Sequence, residues 1–205
     1  EFKSFNLKEK CDLYCYLKIN DVNMKKSNKI SNVNKRYKII QSYKFKKHMA
    51  QHEKDFNIPY PNIIKYAQSK GIFNNLTKDM EKVVVELPVY LGYSSLCKVT
   101  EKDNIVYAKR LNRDVYSKFT LNRKKTLTNK CVMILKQSYQ KKNEYYLITM
   151  FPGYDSVKEV QDKHIKDNME LQKSIKFWEK HALIYDPNTI DLETITYTCP
   201  YMITA

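Results

Sequence analysis

The sequence predicts an α+β fold in which N-terminal helices pack with a curved antiparallel β-sheet. Apolar residues between positions 43 and 71 recur at helical spacing, and short β-rich runs follow from about residue 82. The hydrophobic fraction of 42% is large enough for a packed core. The length of 205 residues is typical of one domain. We therefore expect a mainly helical segment over residues 1–80 and a β-rich core with a late helix over 81–205, joined in one compact unit.

Two helices are predicted between residues 43 and 71. The residues that lie about four and seven positions apart on one amphipathic face are Phe45, Met49, His52 and Phe56. Pro59 and Pro61 end the first helix and help to start the second. Gly71 occupies a position after the second helix where a left-handed residue is favoured. Before these helices, residues 13–19 suggest a short strand or a helical turn, and residues 21–38 a loop.

Six short β-rich runs are predicted in the second part of the chain. They cover residues 83–85, 96–100, 105–109, 115–120, 131–137 and 145–151. The last two flank a polar segment and form a predicted hairpin. Because glycine is scarce, Gly92 and Gly153 are expected to hold special backbone conformations. Asp167 and Glu170 indicate the start of a late helix, which His181 closes.

The chain is strongly basic, with a formal net charge of +15 from 37 Lys and Arg against 22 Asp and Glu. Net charge concerns association rather than fold, and its simplest explanation is a lysine-rich solvated surface. The alternative, functional explanation of this charge is that the protein binds a polyanionic partner. The 17 tyrosines favour RNA, whose unpaired bases stack on aromatic rings. No run of about 18 apolar residues occurs, so no membrane-spanning helix is predicted.

The cysteines and histidines do not indicate a metal site. The five cysteines include no Cys-x-x-Cys pair, and their odd number excludes complete intramolecular pairing. Cys131 lies in an apolar run and is predicted to be a buried thiol. His48 and His52 lie one helical turn apart, which is a metal-binding spacing. However, no His-Glu-x-x-His pattern or third ligand accompanies them. We expect neither a metal nor a cofactor.

The segment between Gly92 and Tyr185 contains groups that can cleave RNA without a metal. A base must remove the 2′-hydroxyl proton, an acid must protonate the leaving oxygen, and cations must stabilise the phosphorane. Histidine and arginine suit these tasks. The candidate catalytic residues are His181, Arg110, Arg113, Arg123 and Thr149. The candidate RNA-binding residues are Lys109, Tyr107 and Lys118.

Each candidate also has a structural explanation. His181 can cap the C-terminus of a helix, where a cation is favoured. The arginines can form a solvated basic face. Thr149 can be an ordinary β-forming residue within its strand.

Several segments carry a resemblance to a known group of enzymes. They are the strand Ile105–Arg110, residues 119–123, 131–135 and 146–153, and the final Phe-Trp-x-x-His-Ala-Leu at 177–183. Across residues 86–186 the chain resembles the barnase/EndoU/colicin/RelE-like toxin ribonucleases. The resemblance implies a sheet that surrounds the scissile phosphate with His181, the three arginines and the Thr149 hydroxyl. Barnase-type enzymes pair this histidine with a glutamate, and the candidates here are Glu9, Glu86 and Glu101.

Resemblance and charge together imply a metal-independent endoribonuclease toxin that leaves a 2′,3′-cyclic phosphate, with tRNA as the expected substrate. Such a toxin is secreted or delivered and acts in the cytoplasm of a target cell, and an immunity protein, inhibitor or delivery partner is expected. Bacterial contact or bacteriocin delivery and a plasmid-encoded yeast killer toxin both fit. The alternatives are a non-catalytic RNA- or DNA-binding protein, and an effector that binds a protein or an anionic membrane.

Overall fold

The computed structural model describes residues 37–111 and 113–201, which form an α+β protein, as the sequence predicts. The α-helices in this part of the chain are α1 (Tyr43–His52), α2 (Tyr60–Ser69) and α3 (Asn168–Lys180). The strands are β1 (Lys38–Ile40), β2 (Met80–Glu86), β3 (Gly92–Ser94), β4 (Leu96–Lys98), β5 (Ile105–Arg110), β6 (Arg113–Thr120), β7 (Thr126–Thr128), β8 (Lys130–Gln137), β9 (Glu144–Pro152) and β10 (His181–Ile184). Short 3₁₀ turns cover Glu53–Asp55, Pro187–Thr189 and Leu192–Thr194.

The chain divides into two compact units. The first comprises Glu1–Gly92 and Thr128–Pro152, and the second comprises Tyr93–Leu127 and Gly153–Ala205. These boundaries differ from the division near residue 80 expected from the sequence. The reason is strand pairing, because β2 joins β8 rather than the strands that directly follow it.

A four-stranded sheet in the order β1-β9-β8-β2 forms the first unit together with α1 and α2. Strands β8 and β9 form the predicted hairpin and pair antiparallel, as do β2 and β8. Strand β1 instead pairs parallel with β9. The sheet is therefore mixed at one edge, where the sequence predicts a purely antiparallel sheet. The edge strand β1 begins within residues 21–38, which were expected to form a loop.

Helices α1 and α2 bury the apolar faces that their sequence spacing predicts. Phe45 and Met49 from α1 and Ile63 and Ile64 from α2 are in the core of the first unit. Their partners from β8 and β9 are Met133, Leu135, Tyr145, Leu147 and Met150. Ser42 caps α1 by accepting a hydrogen bond from the Phe45 amide at 3.1 Å. Because Phe45 and Met49 are the buried residues of α1, its other side chains lie at the edge of the core or in solvent.

The two glycines singled out in the sequence meet different requirements. Gly153 has a φ of 124°, a backbone conformation that L side chains rarely adopt. Gly92 does not have a positive φ, and its requirement is a close approach. A Cβ atom there would collide with the carbonyl oxygen of Asp55 and with the ring of Pro152. The absence of a side chain at Gly92 therefore lets the segment after α1, which contains Asp55, pack directly against the backbone at Gly92.

The second unit contains a four-stranded sheet in the order β4-β10-β6-β5. Strand β10 pairs antiparallel with β4 and parallel with β6, and β5 pairs antiparallel with β6. Asp167 caps α3 through the Glu170 amide at 2.8 Å, as predicted. Helix α3 leads directly into β10 at His181. A small core of Val106, Ala108, Phe119 and Ile190 lies against this sheet.

Some expectations fall outside the residues that the structure describes. They are the element predicted at 13–19, most of the loop predicted at 21–38, and Glu9. Cys131 is fully buried, as predicted. Of the helices described here, none is long and apolar enough to cross a membrane.

Candidate active site

Arg110 and Arg113, two of the predicted phosphate ligands, are bound to a carboxylate within the second unit. Glu159 accepts hydrogen bonds from Arg110 Nη2 at 2.5 Å and Arg113 Nη1 at 2.6 Å, and also from the Ser117 hydroxyl. Glu159 is only 3% exposed. A carboxylate this deeply buried needs compensating donors, and the two guanidinium groups supply them. We call Glu159, Arg110, Arg113 and Ser117 the Glu159 cluster.

Arg123 forms a bidentate pair with Asp103. Its Nε lies 2.6 Å from Asp103 Oδ1 and its Nη2 lies 2.8 Å from Oδ2. Asp103 also accepts from the Thr100 amide at 2.6 Å, so the pair closes the turn before β5. The hydrogen bond from Arg123 is the main reason that the pKa of Asp103 falls to about 2. In this structure Arg123 therefore stabilises a turn.

The Asp103 pair should make the protein sensitive to acid. The folded-state pKa of about 2 lies below the ordinary value of 3.8, so the pair stabilises the fold fully above that ordinary value. This contribution is lost as the pH falls towards the folded pKa. We expect urea unfolding midpoints of wild type and Asp103→Asn to differ most above pH 4 and to converge near about pH 2. A difference that stays constant across this range would contradict the assignment.

His181 begins β10 and is held against the end of α3. Its Nδ1 donates to the Phe177 carbonyl oxygen at 2.8 Å, and its ring stacks on Phe177 with centroids 4.1 Å apart. Because Nδ1 is the donor, Nε2 is left as the acceptor in the neutral ring. Leu183 pairs with Phe119, and the alternation of side chains puts His181 on the same face of this sheet as Ser117.

The three predicted RNA-binding residues lie on one face of the β5–β6 ladder. Tyr107 pairs directly with Lys118, and Lys109 pairs with Tyr116. Lys118 Nζ donates to the carbonyls of Trp178 and Glu179 at 3.0 and 2.9 Å. Burial lowers the pKa of Lys118.

The other two members of this face are also engaged. Lys109 Nζ is 2.6 Å from Asp114 and lies over the Tyr116 ring. Burial raises the pKa of Tyr107, and the neighbouring Cys199 raises it further. Lys109, Tyr107 and Lys118 thus share a surface, but each already has a partner within the protein.

Thr149 belongs to the first unit, where it contacts a histidine that was not among the candidate catalytic residues. His48 Nε2 lies 3.0 Å from Thr149 Oγ1, and the tautomer of the ring decides which atom donates. The ring of His52 lies one helical turn further along α1, with centroids 4.7 Å apart. His52 Nδ1 is 3.5 Å from the Asp55 carboxylate. We call His48, His52, Asp55 and Thr149 the His48 cluster.

Local sequence features place each member of the His48 cluster. Phe45 and Met49 face the core, so His48 and His52 lie on the flank of α1 and are partly exposed. Thr149 pairs with Ile134 beside a break in the β8–β9 register. Such a bulge redirects side chains along a strand. The backbone carbonyl of Asp55 lies close to Gly92, where a Cβ atom would collide with it.

Two causes lower the pKa of His48. The larger is burial, which disfavours the charged imidazolium, and the second is repulsion from the positive charge of a protonated His52. His48 is therefore neutral at pH 7 and can accept a proton. The His52 ring has the carboxylate of Asp55 3.5 Å from its Nδ1, which can orient that ring. The two neighbouring imidazoles are thus suited to opposite roles in proton transfer.

Glu86 and Glu101, two of the candidate carboxylates named in the sequence, lie outside the His48 cluster. Glu86 is on β2 in the first unit, 3.5 Å from Lys130. Glu101 is exposed in the turn after β4. Among the described residues, no group of three or more His, Cys, Asp or Glu side chains could hold a metal ion.

Comparisons were made with protein-family models, with curated proteins and with solved structures. None of them matches this chain. The interpretation of the His48 cluster as a functional site therefore rests only on its geometry and chemistry. Sequence reasoning noted the His48/His52 spacing but weighed it only as a metal pair. The signal that could have led to this cluster is a polar Thr149 within an apolar strand of the same sheet-and-helix region.

Proposed function

We propose that the protein is a metal-independent endoribonuclease whose active site is the His48 cluster. The observation that carries this proposal is the contact between the His48 ring and Thr149, next to a second histidine that faces a carboxylate. A pair of imidazoles, one neutral and one able to carry a proton, provides the base and the acid that RNA cleavage requires. The net charge of +15 supports a polyanionic substrate.

In the proposed reaction, His48 removes the proton from the 2′-hydroxyl of the substrate. The 2′-oxygen attacks the adjacent phosphorus, and the bond from phosphorus to the 5′-oxygen breaks. His52 donates its proton to that leaving oxygen. The products are a 2′,3′-cyclic phosphate and a 5′-hydroxyl, and His48 and His52 have each changed protonation state. Thr149 positions the His48 ring.

Part of the first unit lies within the region that resembles the toxin ribonucleases. Strands β8 and β9 belong to residues 86–186, which the resemblance covers, whereas the two helices that pack against β8 and β9 precede that region. We propose a toxin, secreted or delivered and active in the cytoplasm of a target cell, with tRNA as its substrate and with an inhibitor or delivery partner. Extensive basic charge suits a compact folded RNA.

Incubation with total tRNA in the presence of EDTA tests the proposed activity directly. We expect discrete fragments that carry a cyclic phosphate at one end and a 5′-hydroxyl at the other. A 2′-deoxy substitution at the mapped cleavage site should abolish the cut, because the nucleophile is then missing. Salt-sensitive binding without scission would instead favour a non-catalytic RNA-binding protein.

The pH dependence of cleavage should reveal a base with a lowered pKa. The pKa of His48 lies below its ordinary value of 6.5, so the base stays neutral to a lower pH than a free histidine. On the acidic side of the pH profile, we expect the midpoint to lie below this ordinary value and the rate to fall about tenfold for each pH unit below the lowered pKa. Circular dichroism at each pH shows whether the fold is retained. A midpoint above 6.5 would rule out His48 as the base.

A further inference from the structure

Strand β2 forms one edge of the four-stranded sheet in the first unit. The order β1-β9-β8-β2 puts β8 on one side of β2 and, within the described part of the chain, no strand on the other side. Strand β2 covers Met80–Glu86 and is longer than β1, the strand at the opposite edge. Three successive valines give it a high β-propensity. A long edge strand of this kind is a template on which another strand can pair.

The hydrogen bonds to β8 show which backbone groups of β2 face outward. The Leu87 amide donates to the Asn129 carbonyl oxygen at 2.8 Å, and the Gln137 amide donates to the Asp79 carbonyl oxygen at 2.7 Å. The register between these two positions is continuous. In an antiparallel pair, hydrogen-bonded residues alternate with residues whose backbone groups point the other way. The odd-numbered residues of β2 therefore bond to β8, and the N–H and C=O groups of its even-numbered residues point away from β8.

The same even-numbered residues carry the exposed side chains of β2. Met80 is 49% exposed and Val84 is 42% exposed. Lys82 is exposed, and the Glu86 side chain is 59% exposed beside Lys130. Val84 therefore lies midway between a cation and an anion on this edge.

We propose that this edge pairs with the same edge of a second copy of the chain. Antiparallel pairing about a two-fold axis at Val84 places the two Val84 residues opposite each other. The same axis places Lys82 of each copy opposite Glu86 of the other. All of these residues are even-numbered, so each facing pair can exchange two hydrogen bonds between outward-pointing groups. Opposite charges on facing strands stabilise such pairing, and the two-fold axis closes the assembly at a dimer.

Charge favours this register over its neighbours. The outward-pointing backbone groups also permit an axis at any other residue of the strand. An axis at Lys82 would place the two lysines opposite each other, and an axis at Glu86 would do the same to the two glutamates, which is destabilising. An axis at Val83 or Val85 would place each charge opposite an apolar residue. Among these registers, only the axis at Val84 pairs both charges with their opposites and valine with valine.

Charge-reversal variants test the dimer and its register together. Sedimentation velocity of the full chain, freed of nucleic acid, in about 0.15 M salt screens the long-range repulsion between two basic copies. We expect wild type to be dimeric at about 100 µM, a concentration suited to a small interface. Lys82→Glu and Glu86→Lys should each weaken dimerisation by at least about tenfold, because each places like charges opposite one another at two positions. The control Lys173→Glu changes an exposed lysine of α3 and should dimerise as wild type does.

A mixture of the two variants decides the register. When one copy carries Lys82→Glu and the other carries Glu86→Lys, the facing charges at both positions are opposite again. We expect the equimolar mixture to recover the wild-type affinity, which misfolded variants could not do. Wild type that stays monomeric at the same concentration, or a mixture that does not recover, would overturn the proposal. So would a dimer that neither variant weakens.

Amide hydrogen exchange provides an internal control on the same strand. The Val84 amide points away from β8, whereas the amides of Val83 and Val85 donate to β8. We expect exchange at Val84 to slow as the protein concentration rises, while exchange at Val83 and Val85 stays slow throughout. Exchange at Val84 that does not depend on concentration would contradict the dimer. These measurements involve no RNA, so their outcome is independent of the proposed ribonuclease activity.

Discussion

His48→Ala should reduce RNA cleavage by about 10²–10⁴-fold, the usual contribution of a positioned general base. The variant removes the imidazole that contacts Thr149 but leaves the buried anchors Phe45 and Met49 of α1 intact. His48 is only partly buried, so the fold should be retained. The loss should appear in kcat rather than in KM, because the base acts on the reacting proton. Single-turnover cleavage of a defined RNA measures this directly.

His181→Ala is the matched control for that experiment. His181 is the histidine that the sequence motif favours, and it too is partly exposed, but it is bound to Phe177 at the end of α3. If the His48 cluster is the active site, His181→Ala should cleave at close to the wild-type rate. The opposite result, with His181→Ala inactive and His48→Ala active, would return the active site to the second unit. Thr149→Val, which removes the hydroxyl and keeps the shape, should lower the rate by about fivefold, since one neutral hydrogen bond contributes about 1 kcal/mol.

Glu159→Ala should destabilise the second unit by about 2–4 kcal/mol. The substitution leaves Arg110 and Arg113 without their shared acceptor and leaves the buried Ser117 hydroxyl without a partner. The two arginines are partly exposed and can recover some hydration, which keeps the expected cost below that of two isolated buried charges. Trp178, the single tryptophan of the chain, lies in this unit, so urea unfolding followed by its fluorescence reports on the affected region.

Asp114→Ala is the appropriate comparison for Glu159→Ala. Asp114 also pairs with a cation, Lys109, but its side chain is 91% exposed. Exposed pairs contribute little, so this variant should change stability by less than about 1 kcal/mol. Similar stabilities of Glu159→Ala and wild type would show that the buried carboxylate is not needed to hold its arginines. Such a result would make Arg110 and Arg113 available for phosphate, as the sequence analysis expected.

Local signals in the sequence predict much of this fold. The apolar spacing around Phe45, the proline pair at the start of α2 and the capping residue Asp167 each depend on neighbours within a few positions. Those elements form as predicted. The strand runs are also recovered, with shifts of a few residues at their ends. What the pattern does not contain is the order of strands in each sheet, because parallel pairs such as β1 with β9 join segments far apart in the chain.

For the candidate site, too, the residue types could be recognised from the sequence, but the contacts between distant residues could not. A lone threonine in an apolar strand is an interpretable local signal, but its partner His48 lies 101 residues away. The arginines are recognisable as phosphate ligands by type alone. The sequence does not reveal that two of these arginines already form ion pairs with Glu159, because Glu159 lies in an irregular segment without a periodic pattern. Residue chemistry can be listed from sequence, whereas pairing requires three-dimensional proximity.

The interleaving of the two units has a consequence for synthesis on the ribosome. Strand β2 cannot pair with β8 until residues 130–137 have been translated. Likewise, β4 cannot pair with β10 until residues 181–184 have been translated. Each sheet therefore contains early strands that must wait for strands translated much later. Domains that are continuous in sequence usually fold as units from the N-terminus onward, and these two units cannot do so. His48 meets Thr149 only late in this process. A nascent chain that stops before residue 149 lacks a complete proposed active site, so the polypeptide should be inactive on the ribosome until Thr149 has been translated.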